Sequence, residues 1–286
     1  MMKILVIGKF GQLASCLREE SEQYPQHQFW FLDRNEFPLD NLQQIPTKLD
    51  EICPDVIVNT AAYTQVDKAE NEQEIADLIN HQSVAKMVEW SQINHKKLVQ
   101  ISTDYVFDGT ASQPIKENEK TRAINNYGKT KMLAEQAIVQ SEIDFMIIRT
   151  SWLYSAFGHN FVQTMRRLMA EKSQINVVND QYGSPTNAHD LARHLLLILF
   201  TKKWQTDIYH YTNSGTATWC DFASEIKQLI NAQTIVNPVD STVFPTLATR
   251  PKYSVLCNQK IQETFGFQIS DWRDSLCHFF QNKVKK

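Results

Sequence analysis

The chain has 286 residues, of which 42% are hydrophobic and 21% charged, with a formal net charge of −3. That length accommodates one large α/β domain, or one domain with a smaller companion. The charge gives no electrostatic reason to expect nucleic acid or an anionic membrane as partner, and no apolar run approaches the roughly 18–20 residues that span a bilayer.

The N-terminal run MMKILVIGKF is apolar only briefly before Gly8, so it predicts a first strand, KILVIG (3–8), and no signal peptide. A helix follows from Gly11 to about Ser21, then a strand at HQFWFLD (27–33) and a helix-like stretch around 41–52 that Pro46 starts or interrupts. DVIVNTAA (55–62) predicts a buried strand, and 74–94 a long amphipathic helix. KLVQIS (97–102) is again a strand, followed by a polar loop to about 124, a helix opened by NNYGKTK, and a strand at DFMIIRTS (144–151). Strands apolar throughout and separated by helices predict an α/β fold with a doubly wound parallel sheet, Rossmann-like, whose ligands sit at the carboxyl ends of the strands.

Beyond 151 the rhythm loosens. A helix near 159–171, a strand at INVVND (175–180), an apolar helix at 189–200, a strand at DIYHYT (207–212) and helices at 219–230 and about 271–282 are expected. We read 1–151, with a strand–helix excursion at about 175–203 returning to the main sheet, as the dinucleotide-binding domain. Residues 152–174 and 204–286 then form a smaller C-terminal α/β substrate-binding lobe. The basic tail KVKK reads as a frayed end. The cysteines at 16, 53, 220, 257 and 277 include no C-x-x-C, which argues against a disulfide framework or a zinc site and fits a cytoplasmic location.

Three local features carry chemistry. Gly8, Gly11 and Ala14 stand at G-x-x-G-x-x-A spacing between the first strand and the first helix. Such a turn lets a diphosphate approach free N–H groups at a helix N-terminus. Asp33, ending the second strand, suits ribose hydroxyls, whereas Arg34 and Lys9 suit a phosphate, so NADH and NADPH both stay open. Tyr127 and Lys131, four apart, share one helix face. Two unit charges about 4 Å apart at an effective dielectric near 20 interact by roughly 4 kcal/mol. On that basis the lysine lowers the phenol from about 10 by as much as roughly three units, giving an acid poised near neutrality. A surface helix with a packed tyrosine and a solvated lysine is the plainer alternative. Thr103 ends the fourth strand, 24 residues before Tyr127.

A strand-end hydroxyl followed by Tyr-x-x-x-Lys resembles the short-chain dehydrogenase/reductase superfamily, in its extended, nucleotide-sugar branch. More closely, GKFGQLA, VNTAAYTQVDKAE (58–70), STDYVFDG (102–109), YGKTKMLAE (127–135), RTSWLY (149–154), DQYGSPT (180–186) and RPKYSVL (250–256) resemble, in order, segments of the dTDP-4-dehydrorhamnose reductase family. Tyr105 stands where related sugar-nucleotide dehydratases carry a glutamate, which disfavours dehydration. The resemblance implies hydride transfer from NADPH or NADH to a nucleotide-linked 4-keto-6-deoxyhexose. Thr103, Tyr127 and Lys131 would be the catalytic residues, with Lys131 also on the nicotinamide ribose. It places Gly11, Gln12 and Leu13 at the diphosphate, Asp40 and Asn41 by the adenosine, and Ala62, Tyr63 and Thr64 beside the cofactor, with Gly8, Phe10, Asp33 and Arg34 completing the expected cofactor site. Val66, Thr103, Asp104 and Trp152 would line the sugar site, and Arg250 would pair with the substrate diphosphate. For Trp152 the alternative is a core aromatic, and for Arg250 a structural ion pair.

Some members of that family hold Mg²⁺ at a dimer contact through carboxylates. The matching places here carry Cys16 and Asn187-Ala188-His189, so no metal is expected, and the chain is read as a monomer or a homodimer built differently. A reductase or epimerase of another nucleotide-linked 4-keto sugar, or a non-catalytic NADP-binding regulatory subunit, are the competing functions.

Overall fold

In the computed structural model, which describes residues 1–283, the first strand already explains the architecture. Strand β1 (Lys3–Ile7) is buried along its apolar length, with Ile4 and Val6 in one core and Leu5 and Ile7 in another. A strand that buries both faces must lie inside a layered sheet. Its neighbours are β2 (Gln28–Leu32) and β3 (Val56–Asn59), followed outward by β4 (Lys97–Thr103) and β5 (Phe145–Thr150), all parallel. The chain reverses direction across the sheet between β2 and β3, with β1 at the switch, and that is where such sheets bind ligands.

One face is covered by α1 (Gln12–Ser21) and an apolar helix at Ala188–Thr201, through Leu13, Leu17, Leu191 and Leu195. The opposite face is covered by α2 (Gln44–Ile52), α3 (Ser83–Asn94) and α4 (Asn126–Val139), through Leu49, Met87, Ala134 and Ile138. The predicted long helix at 74–94 is broken in register. Gln73–Asp77 is α-helical, Leu78–Gln82 makes a π turn, and α3 follows.

Two strand assignments are corrected. Gln174–Val178, expected to return to the main sheet, pairs instead with Ile235–Val239 in a separate two-stranded parallel sheet. Asp207–His210, expected in the smaller lobe, pairs with β5 and forms the edge of the main sheet, which thereby has six strands. The helix at Ala188–Thr201 already lies on the main sheet, so the chain leaving it reaches β5 first. A third core gathers Tyr154, Val162, Phe222, Trp272 and Leu276 around the helices Phe161–Glu171, Trp219–Leu229 and Trp272–Lys283. The reading of KVKK as frayed rests on residues 284–286, which lie outside the described residues.

Candidate active site

The Gly turn forms as its spacing requires. Gly8 has φ +103°, and a Cβ there would meet Thr60 Oγ1 at 2.9 Å and the Ala61 nitrogen at 3.1 Å. The backbone N–H of Gly11 closes the turn on the Gly8 carbonyl at 2.7 Å, and Gly11 caps α1 without a side chain. The first N–H groups of α1 are therefore open to an anion. Side chains around the turn serve other purposes. Leu13 is buried in the core, Phe10 is exposed, and Gln12 ties the turn to the second lobe. Its Oε1 accepts from Ser155 Oγ and Asn160 Nδ2, both at 3.0 Å, and its Nε2 donates to the Leu153 carbonyl at 3.3 Å.

Beside this turn lies a groove of about 460 Å³ whose lining includes Gly8, Asp33, Arg34, Asp40, Ala62, Tyr63 and Thr64. Asn41 is exposed next to it in sequence but is not part of the lining. Asp33 Oδ1 accepts from the backbone N–H groups of Asn35 and Glu36, which hold its carboxyl below the usual range. Lys9 is paired with Glu36 at 3.2 Å. Arg34 is exposed at the rim of the same groove.

Thr103, Tyr127 and Lys131 come together where β4 ends against α4. Asn125 caps α4 by accepting from Gly128 N–H at 2.8 Å. Gly128 is needed there, since a Cβ would lie 2.1 Å from the Tyr105 carbonyl oxygen. Tyr127 is half-buried and hydrogen-bonded to Thr103; burial pushes its phenol up to about 12, with the Thr103 bond opposing and the Asp104 carboxyl adding to the rise. Lys131 is buried, and its Nζ donates to the Ile101 carbonyl at 2.7 Å. Burial lowers the lysine to about 8, against the attraction of Glu135. The expected lowering of the phenol by the lysine is thus absent from the free protein: desolvation of a phenolate outweighs a cation that is itself desolvated and engaged elsewhere.

Beneath these groups Glu135 and Arg149 form a buried pair at 2.6 Å, joined by Ser102 Oγ at 2.5 Å and His210 Nε2 at 3.2 Å. Breaking such a pair costs about 3–5 kcal/mol, so it anchors α4 to the ends of β4 and β5. Asp104 is buried, and its Oδ1 accepts from Thr103 at 3.1 Å. Its Oδ2 has no hydrogen-bond partner among the described residues. Burial raises this carboxyl to about 6, against the hydroxyls of Ser254 and Thr103.

A second cavity, about 510 Å³, lies in the smaller lobe, lined in part by Phe161, Gln181, Trp219, Phe244, Thr249, Arg250 and Lys252. Arg250 lines it while bonding both oxygens of Asp67, at 3.1 and 2.7 Å. Trp152 does not line the cavity directly. It sits at φ +47° and stacks on Trp219, with ring centroids 3.5 Å apart. Gly183 makes room for it, since a Cβ there would lie 2.5 Å from the indole. Val66 begins a short helix, Val66–Ala69, and lines neither cavity.

Sequence reasoning missed Trp219, Gln181, the 241–249 segment and Asn80. Asn80 is buried on the π turn, where its Oδ1 accepts from Tyr63 N–H at 2.7 Å. Its Nδ2 donates to the Tyr63 carbonyl at 3.2 Å and to Thr130 Oγ1 at 3.0 Å. One side chain thus fixes the cofactor-side loop against α4. An asparagine amid the apolar positions of a predicted helix was the only signal available.

Comparison with known proteins shows the family. The family profile described as RmlD substrate binding domain matches residues 2–284. The chain is 35% identical to the dTDP-4-dehydrorhamnose reductase of Salmonella typhimurium, over 95% of this chain and 94% of that protein. It is also 35% identical to the spore coat polysaccharide biosynthesis protein SpsK of Bacillus subtilis, over 99% and 98%. Among solved structures, a dTDP-4-dehydrorhamnose reductase from Clostridium acetobutylicum superposes with TM-score 0.94 at 35% identity, covering all of both chains. The Bacillus anthracis reductase in complex with NADP gives TM-score 0.93 at 36% identity, over 99% of this chain and 100% of that one. The chain therefore belongs to the RmlD family, that of the dTDP-4-dehydrorhamnose reductases.

Proposed function

We propose that this protein reduces the C4 keto group of dTDP-4-dehydro-6-deoxy-L-mannose to give dTDP-L-rhamnose, with NADPH or NADH as reductant, for cell-surface polysaccharide precursors. The observation that carries this reading is the position of Thr103, Tyr127 and Lys131 at the end of β4, with the Gly turn's groove and the Arg250-lined cavity both present. The relatives' names support the substrate, and the NADP complex of the Bacillus anthracis protein supports the cofactor.

The residues present fit a dinucleotide. The Gly8 turn has no room for a side chain, and the first N–H groups of α1 lack a capping side chain. Backbone N–H groups of Gln12 and Leu13 would hold the diphosphate against Gly11, whose own N–H is spent on Gly8, with Arg34 on a 2′-phosphate and Lys131 on the nicotinamide ribose. When bound, the cofactor supplies a hydride to the carbonyl carbon. Tyr127, raised to about 12, is protonated at neutral pH and able to give its proton to the alkoxide oxygen that develops. Thr103, whose single O–H donates to Asp104 in the free protein, would turn it to the same oxygen and stabilise it. Asp104, with a free buried oxygen, would receive a sugar hydroxyl.

We further infer that the lobe built around Phe161, Trp219 and Arg250 binds the nucleotide part of the substrate, and that the helix at Ala188–Thr201 belongs with the dinucleotide domain. Among the described residues no helix is long and apolar enough to cross a membrane. With the scattered cysteines, this supports a cytoplasmic enzyme, acting as a monomer or a homodimer. Incubation with dTDP-4-keto-rhamnose and either reduced cofactor, followed by absorbance and product analysis, tests the reading. Formation of dTDP-L-rhamnose is expected. Oxidation of the cofactor only with another nucleotide-linked keto sugar would redirect it, and cofactor binding without turnover would overturn it.

A further inference from the structure

Position 105, whose tyrosine disfavours dehydration, is also a structural link between the two ends of the proposed substrate site. The backbone N–H of Tyr105 donates to Thr103 Oγ1 at 3.2 Å. Its carbonyl abuts Gly128, so its backbone is fixed against the first turn of α4. Its ring meets that of Tyr127 edge to face, with centroids 5.9 Å apart and planes at 76°. The Arg250 guanidinium, held by both oxygens of Asp67, lies close enough to the phenol for the two to interact electrostatically.

An arginine is only a donor, so toward it the Tyr105 oxygen can act only as acceptor. Its own O–H is left to donate, and no acceptor for it is found among the described residues. The residue is half-buried. Tyr105 therefore offers a fixed, neutral donor midway between an acid that serves a sugar carbon and a cation that lines the nucleotide cavity.

We propose that Tyr105 is a specificity-determining residue, whose phenol donates a hydrogen bond to an oxygen on the hexose side of the substrate diphosphate. The inference rests on the nucleotide-sugar reading above and deepens it. With a diphosphate at Arg250 and a sugar carbonyl at Tyr127, the covalent link between them must pass Tyr105. A free nucleoside diphosphate reaches Arg250 but lacks the hexose oxygen, so the residue distinguishes the two ligands.

The test is Tyr105→Phe, which keeps the ring packing and removes only the hydroxyl. dTDP-L-rhamnose and dTDP are titrated calorimetrically into the NADP-loaded full-length protein, and steady-state rates are measured alongside. The expected result is about tenfold weaker binding of dTDP-L-rhamnose, the size of one hydrogen bond. Binding of dTDP and kcat should stay within about twofold, with KM rising as the affinity falls. Equal weakening of both ligands would overturn the proposal, because Tyr105 would then act only by holding Arg250. Loss of kcat at constant KM would overturn it in favour of a role through Tyr127, and unchanged binding would overturn it outright. A wild type that shows the binding difference but reduces no nucleotide sugar would support this proposal and defeat the reductase reading alone. A wild type that binds neither ligand would defeat both.

Discussion

Lys131 Nζ donates to the carbonyl oxygen of Ile101 at 2.7 Å, so the lysine on α4 is anchored to β4. In the free protein it does not act on the phenol four residues earlier. Its charge is expensive where it lies, and burial lowers it from 10.5 to about 8.

The first prediction follows from that lowering. Lys131 carries its charge below about pH 8 and loses it above, while Tyr127 keeps its proton until about 12. The pH profile of kcat/KM should therefore fall as pH rises through about 8, and Glu135→Gln should move the fall to lower pH. Stability has the opposite sign. Between about 8 and 10.5 the unfolded chain binds more protons at this residue, so its contribution to stability rises with pH across that window. A kcat/KM profile flat up to pH 10 would show that the charge on Lys131 is not used.

Arg34 decides the second prediction. Asp33 spends Oδ1 on its own loop and Lys9 is paired with Glu36, whereas Arg34 stands exposed at the groove rim. A hydrogen bond to a charged group contributes about 1.5–3 kcal/mol, so Arg34→Ala should weaken NADPH by roughly ten- to a hundredfold. NADH affinity should barely change. Fluorescence titration of both cofactors checks this, and equal losses would mean Arg34 does not read the 2′ position.

The third concerns Asn80. Removing its amide leaves the Tyr63 N–H and carbonyl unpaired in a half-buried setting, at up to about 1–3 kcal/mol each. Asn80→Ala should therefore lower the melting temperature and weaken cofactor binding about tenfold. If melting falls while cofactor affinity is unchanged, the residue supports the fold only.

The fourth concerns metal. Cys16 is fully buried within α1 and its thiol is pushed well above the usual range, chiefly by burial. His189 is engaged by Glu19 at 3.2 Å and Glu20 at 3.6 Å. Among the described residues no group of three His, Cys, Asp or Glu could hold a metal ion. Activity should survive EDTA; loss restored by added Mg²⁺ would contradict this.

The sheet was legible because apolar runs such as KILVI and VIVN bury both faces, which only an interior parallel strand does. The Gly8 turn was legible because a glycine with nowhere to put a side chain leaves a spacing behind. Other features depended on partners far along the chain. Whether Gln174–Val178 joins the main sheet is decided by Ile235–Val239, 61 residues away. The π turn that seats Asn80 leaves no trace in a helical pattern, which averages over it. Trp219 reaches the cavity from a helix whose sequence shows only an ordinary N-terminus. The phenol was misjudged because a pairwise charge estimate omits desolvation, and desolvation won.

The central claim is that Tyr127 delivers the proton. It is tested most directly by Tyr127→Phe, with turnover of dTDP-4-keto-rhamnose and NADPH affinity measured on the same preparation. A positioned general acid contributes about 10²–10⁴-fold, so kcat should fall by that order. The fold and the NADPH affinity should stay intact, because phenylalanine keeps the ring against Tyr105. Near-normal turnover in that variant would contradict the account.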